Sequence, residues 1–126
     1  MSKKWRDELE KVLKDMELGD PDIESSAIVR TDGLVMASAL PKGADEGLIA
    51  AMSAAILNIG SRALSELAKG ELEKIIVSGD KGDITIMGVG KEAVLSAITK
   101  PGANIGLLLV EMGRARERVQ SLLKAM

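Results

Sequence analysis

Asp, Glu, Lys, Arg and Ser are what this chain has available for chemistry, because its 126 residues include no Cys, no His and no Tyr. The thiolate nucleophile, the imidazole base and the commonest zinc ligand are therefore excluded, leaving a hard-cation site or a carboxylate base if spacing supports one. It does not. Gly88-Val89-Gly90-Lys91-Glu92 looks like the end of a phosphate loop. Such a loop needs Gly five residues before the Gly-Lys pair and Ser or Thr after it, so that backbone amides cradle phosphate and a hydroxyl holds Mg²⁺. Those positions are Thr85 and Glu92. Gly88, Gly90 and Ala93, with Glu111 beyond, also fit a loose dinucleotide fingerprint, but that motif opens a βαβ unit and this stretch lies between two short strands. Asp80 and Asp83 around Gly82 lack the remaining ligands of a calcium loop. We assign no catalytic, cofactor-binding or metal-ligating residue.

The elements around these residues follow from periodicity and turn chemistry. Trp5, Leu9, Val12, Leu13 and Met16 recur at helical spacing, predicting a helix over 3–18 that Gly19 and Pro21 stop. Ile23–Arg30 and Leu34–Ser38 flank Thr31-Asp32-Gly33, a hairpin signal, since Gly accepts the positive φ of the turn. A long helix capped near Asp45 runs to about Ala68 and is closed by Gly70. Strands over Leu72–Ser78, Asp83–Gly88 and Ala93–Thr99 follow, the last marked by Val94, Ile98 and Thr99, and a helix from Asn104 ends the chain. Short turns between neighbouring strands imply antiparallel pairing, so the class is α+β, in the order α-ββ-α-βββ-α, with one domain over 1–126 and its core over 23–126.

The central helix is the anomaly. Leu48, Ile49, Met52, Ile56, Ile59, Ala63 and Leu67 form one face, expected to lie on the sheet; Ala50, Ala51, Ala54, Asn58, Ser61 and Ser65, flanked by Leu57 and Leu64, form the other. No charge falls between Glu46 and Arg62. A helix apolar on both sides needs cover on both sides. Small side chains allow close approach, so the expectation is a second copy packed antiparallel on the Ala-rich face; the alternative cover is the first or last helix of the same chain.

Charge and composition exclude other classes. A net charge of −2 with interspersed signs and a single aromatic residue, Trp5, argues against nucleic acid. The start is charged, and the uncharged segment from Gly47 to Ser61 is short of a membrane span, so a soluble cytoplasmic protein is expected. In the last helix, Arg114, Arg116 and Arg118 read either as a solvated face or as a docking patch for an acidic partner.

Four features in order carry a resemblance: Ile28-Val29-Arg30-Thr31-Asp32-Gly33-Leu34-Val35 with Leu40-Pro41; Ala50-Ala51-Met52-Ser53-Ala54-Ala55-Ile56-Leu57-Asn58-Ile59-Gly60; the three-strand meander; and Asn104-Ile105-Gly106. From Ile23 to Lys124 the chain resembles the Roadblock/dynein light chain family, specifically its prokaryotic branch of Ras-like GTPase regulators. The resemblance implies a five-stranded antiparallel sheet of order 2-1-5-4-3, with the long helix on one face and the terminal helices on the other. It also implies dimerisation through that helix and the following edge strand, adding Leu72, Lys74 and Ile76 to the expected interface. The implied function is a non-catalytic homodimeric regulator or adaptor of a small Ras-like GTPase, with no cofactor; the alternative is an assembly scaffold that leaves the nucleotide cycle untouched. Arg30, Arg62 and Arg114 are the arginines available for partner docking. A small-ligand sensor of PAS or profilin-like shape is disfavoured, because no aromatic residues line a pocket.

Overall fold

The computed structural model describes residues 2–126. Three helices, α1 (Lys3–Gly19), α2 (Glu46–Glu66) and α3 (Ile105–Lys124), surround five strands: β1 (Ile23–Arg30), β2 (Val35–Ala39), β3 (Lys74–Gly79), β4 (Gly82–Val89) and β5 (Ala93–Thr99). All pairings are antiparallel, in the order β2-β1-β5-β4-β3. Each helix opens on a side chain that satisfies an otherwise orphaned amide: Ser2 accepts from Trp5 N, Asp45 from Leu48 N at 3.0 Å, and Asn104 from Leu107 N at 3.0 Å.

Strand alternation divides the core in two. Ile28, Met87, Val89, Leu95 and Ala97 face α1 and α3, meeting Leu9, Val12, Leu13 and Met16 of the former and Leu108, Met112, Ala115 and Val119 of the latter. Ala27, Val29, Ile86 and Val94 face α2. β5, the central strand, is buried on both faces apart from the half-buried Ile98, which settles the Ala93–Thr99 segment as strand.

Three boundaries differ from the sequence reading. Leu34 stays in the β1–β2 turn and is exposed, because Gly33 at φ +95 turns the chain one residue before the ladder starts at Val35. The β3–β4 turn needs only Asp80-Lys81, with Gly79 paired to Gly82, whose φ of +143 and contact with the Thr99 carbonyl leave no room for a Cβ. Finally, α2 ends at Glu66, with Ala68 in the left-handed region at φ +55 while Lys69 N donates to Leu64 O at 2.8 Å.

The larger correction concerns the faces of α2. Ala50, Ser53, Ala54 and Leu57 are its buried residues, and they lie on the chain's own sheet. The expectation that Ala50, Ala54 and Leu57 meet a second copy is therefore overturned, as is the assignment of Leu48, Met52, Ile59 and Leu67 to the core. The reason is volume. The sheet contributes β-branched residues beneath α2 (Val29, Val35, Ile75, Ile84, Ile86 and Val94), so the closest line of contact takes Ala50, Ser53 and Ala54, with Ile49, Ile56 and Leu57 filling the sides. Gly60 shows how close the approach is: a Cβ there would stand 2.5 Å from Ile75 Cδ1 and 3.0 Å from Leu72 Cδ1.

Candidate functional site

Packing Ala50, Ser53, Ala54 and Leu57 inward turns Leu48, Met52 and Ile59 outward. Leu48 is 57% exposed, Met52 49%, Ile59 71% and Leu67 70%, and nothing among the described residues covers them. With Ala51 and Ala63, also exposed, they form a stripe along a helix of 21 residues. By length and composition α2 could also cross a membrane, but its inner flank is fixed to the sheet, and only the outer stripe lacks cover. Beside its C-terminal half lies β3, which pairs only with β4 and presents an open backbone edge. Ile76 and Val77 on this strand are partly exposed; Val77 shares the α2 side of the sheet with Ile75.

The remaining interface residues named from the sequence scatter. Ala51, Ser65, Lys74 and Ile76 are exposed, Ser61 and Leu64 are half-buried, and Leu72 packs into the cluster formed by Leu57, Ile86 and Val94. Asn58 is exposed and tied internally, its Nδ2 donating to Thr31 O at 3.2 Å. Asn58, Ser61 and Ser65 line a cleft of about 750 Å³ facing the Gly88–Lys91 turn. The residues the sequence reading missed as surface are Leu48, Met52, Ile59, Leu67 and Val77. The one local signal was Gly60, a glycine inside the helix that marks a close approach of its backbone to Ile75 and Leu72.

The three arginines named for docking do not converge, and each already has a carboxylate. Arg30 meets Asp32 at 2.9 Å beside the β1–β2 turn, Arg62 meets Glu66 at 3.1 Å on α2, and Arg114 meets Glu111 at 3.6 Å on α3, across the sheet from α2. Among the described residues no group of three acidic side chains is placed to hold a metal ion. Burial pushes the Glu17 carboxyl up, partly countered by the Ser26 hydroxyl that donates to it. It lies on the α1 side, away from the stripe.

The architecture is a five-stranded sheet with one long helix on one face, two terminal helices on the other and a free β3 edge. The Roadblock/LC7 domain model matches residues 9–99, and the chain belongs to that family. An uncharacterized protein of Methanocaldococcus jannaschii, MJ1340, is 34% identical over 100 residues, spanning 79% of this chain and 87% of its own. Myxococcus xanthus MglB superposes with a TM-score of 0.90 at 16% identity, covering 99% of this chain and 93% of that one. A structure described as MglB with tetrameric arrangement also scores 0.90, at 15% identity and 99% and 94% coverage. The likeness at these identities is one of fold.

Proposed function

We propose that this chain is a non-catalytic homodimeric regulator of a small Ras-like GTPase, built by joining two copies through the outer stripe of α2 and the β3 edge. The observation that carries the reading is the uncovered apolar stripe of Leu48, Met52, Ile59 and Leu67 on an otherwise finished fold. Two antiparallel copies would cover it, and pairing β3 with β3 would close both open edges. The tetrameric arrangement described for MglB supports self-association as a habit of this fold. Membership of the Roadblock/LC7 family supports a small GTPase as the partner.

Such a dimer acts by holding. A rigid two-fold surface that fits one arrangement of a GTPase's switch loops better than the other shifts the balance by the difference in affinity, with no reacting group of its own. The carboxylate partners of Arg30, Arg62 and Arg114 fit this reading better than arginine insertion into the nucleotide site. The test is single-turnover GTP hydrolysis and labelled-nucleotide release by a Ras-like GTPase from the same genome, with and without this protein. The expected result is a change in one of the two rates. Measurable binding with both rates unchanged would instead support the scaffold reading, and no binding would sink both.

A further inference from the structure

On the face away from α2, the flank of α3 that looks toward β3 and β4 is open. Leu109, Gly113 and Arg116 wall a hollow of about 300 Å³ over Met87, and one turn later Gln120, Leu123 and Lys124 wall another of about 230 Å³ over Val89. Met87 and Val89 are alternate residues of one strand and point to the same side, so the hollows form one trough along α3. From Leu109 to Lys124 it runs roughly 22 Å at the helical rise. Met87 and Val89 beneath it are themselves buried, so its accessible apolar surface comes from the half-buried walls Leu109 and Leu123.

Gly113 is the telling residue. A glycine inside a helix costs about 1 kcal/mol relative to alanine, and here it has no internal reason: a Cβ at Gly113 would meet nothing within 4 Å. Gly60 of α2, by contrast, is required by its own sheet. The charges around the trough have a direction as well. Lys74, Lys91, Arg116 and Lys124 line it against Glu73 and Glu92, in a chain whose overall balance is −2. Among the described residues none of these six takes part in an ion pair, whereas Arg114 and Arg118 on other flanks of α3 do.

We propose that this trough docks an acidic amphipathic helix of a partner protein, laid along α3 with its apolar residues on Leu109 and Leu123 and its backbone drawn close by Gly113. Apolar anchors at helical spacing fit a trough of this length, and flanking carboxylates find Arg116 and Lys124 unpaired. The surface lies across the sheet from the α2 stripe and borders the β3 edge at Glu73 and Lys74, so a helix seated along α3 leaves the stripe itself free for a second copy.

The test uses the full chain and a fluorescein-labelled 18-residue helical peptide with a leucine stripe flanked by glutamates, alongside a twin in which every glutamate is lysine. Anisotropy titration at low salt should saturate with the acidic peptide only, and amide shifts should map to Leu109, Gly113, Arg116 and Gln120. Arg116→Glu with Lys124→Glu should weaken binding at least tenfold. Gly113→Leu starts from a Cβ position with nothing within 4 Å and projects into the trough, so it should fold with an unchanged or higher melting temperature and abolish binding. Equal binding of the lysine twin, shifts on the α2 stripe instead, no saturation, or a smaller sedimentation mass for Gly113→Leu would each overturn the proposal, the last by showing the occupant to be a second copy.

Discussion

Ile59→Ala is the substitution that separates the two faces of α2. Ile59 is 71% exposed in the single chain, so covering it removes most of its side chain from water. Fully burying an isoleucine is worth ~1.5–3 kcal/mol, and truncating one with this exposure should forfeit about 1–2 kcal/mol at each of two symmetric sites. Both together raise the dimer dissociation constant roughly thirty- to several-hundred-fold. Stability of the isolated chain should move by no more than about 0.5 kcal/mol, as for other exposed positions. Sedimentation velocity across a dilution series reads the first effect; urea unfolding at a concentration where both proteins are monomeric reads the second. Ala54→Glu should do the opposite, because Ala54 lies against the sheet: an unpaired buried carboxylate should unfold the chain rather than separate intact copies. An unchanged dissociation constant for Ile59→Ala, or folded monomers from Ala54→Glu, would refute the assignment of faces.

Other substitutions test the local physics. Ala68→Gly relieves a left-handed alanine at φ +55 and should stabilise by about 0.5–1 kcal/mol, read as a higher urea midpoint at constant slope. Gly82→Ala places a Cβ against the Thr99 carbonyl at φ +143 and should cost more than ~1 kcal/mol, with the β3–β4 amides losing exchange protection first. Glu17 has its carboxyl raised by burial, so the native state holds its proton more tightly than the unfolded one. Between the unfolded and the folded titration its contribution to stability falls as pH rises. Glu17→Gln should therefore gain most above that window and flatten the pH dependence of the melting temperature; an unchanged pH dependence would contradict this.

Much of the fold was legible because its punctuation is local. Asp32-Gly33, Asp45 before an apolar run and Asn104 before another each specify a turn or cap within four residues, and antiparallel order follows from short turns. The faces of α2 were not legible, since both are apolar and hydrophobicity alone cannot rank them. What decides between them is the bulk of Val29, Val94, Ile84 and Ile86, residues that reach α2 only through the finished sheet. The ion pairs divide the same way. Arg62 and Glu66 stand four apart on one helix, a spacing that can be read directly, whereas Arg118 and Asp15 are 103 positions apart and meet only when α1 and α3 pack together.

The account rests on two copies meeting at the outer stripe of α2. The chain has no cysteine of its own, so single replacements Met52→Cys, Ile59→Cys and Ala63→Cys, each oxidised in dilute solution, test this directly. A disulfide forms only when Cα atoms come within about 7 Å. The account predicts rapid covalent dimer from at least one of the three and none from Lys14→Cys on α1. No covalent dimer from any of the three, with the unmodified protein sedimenting at the 13.3 kDa of one chain, would contradict it.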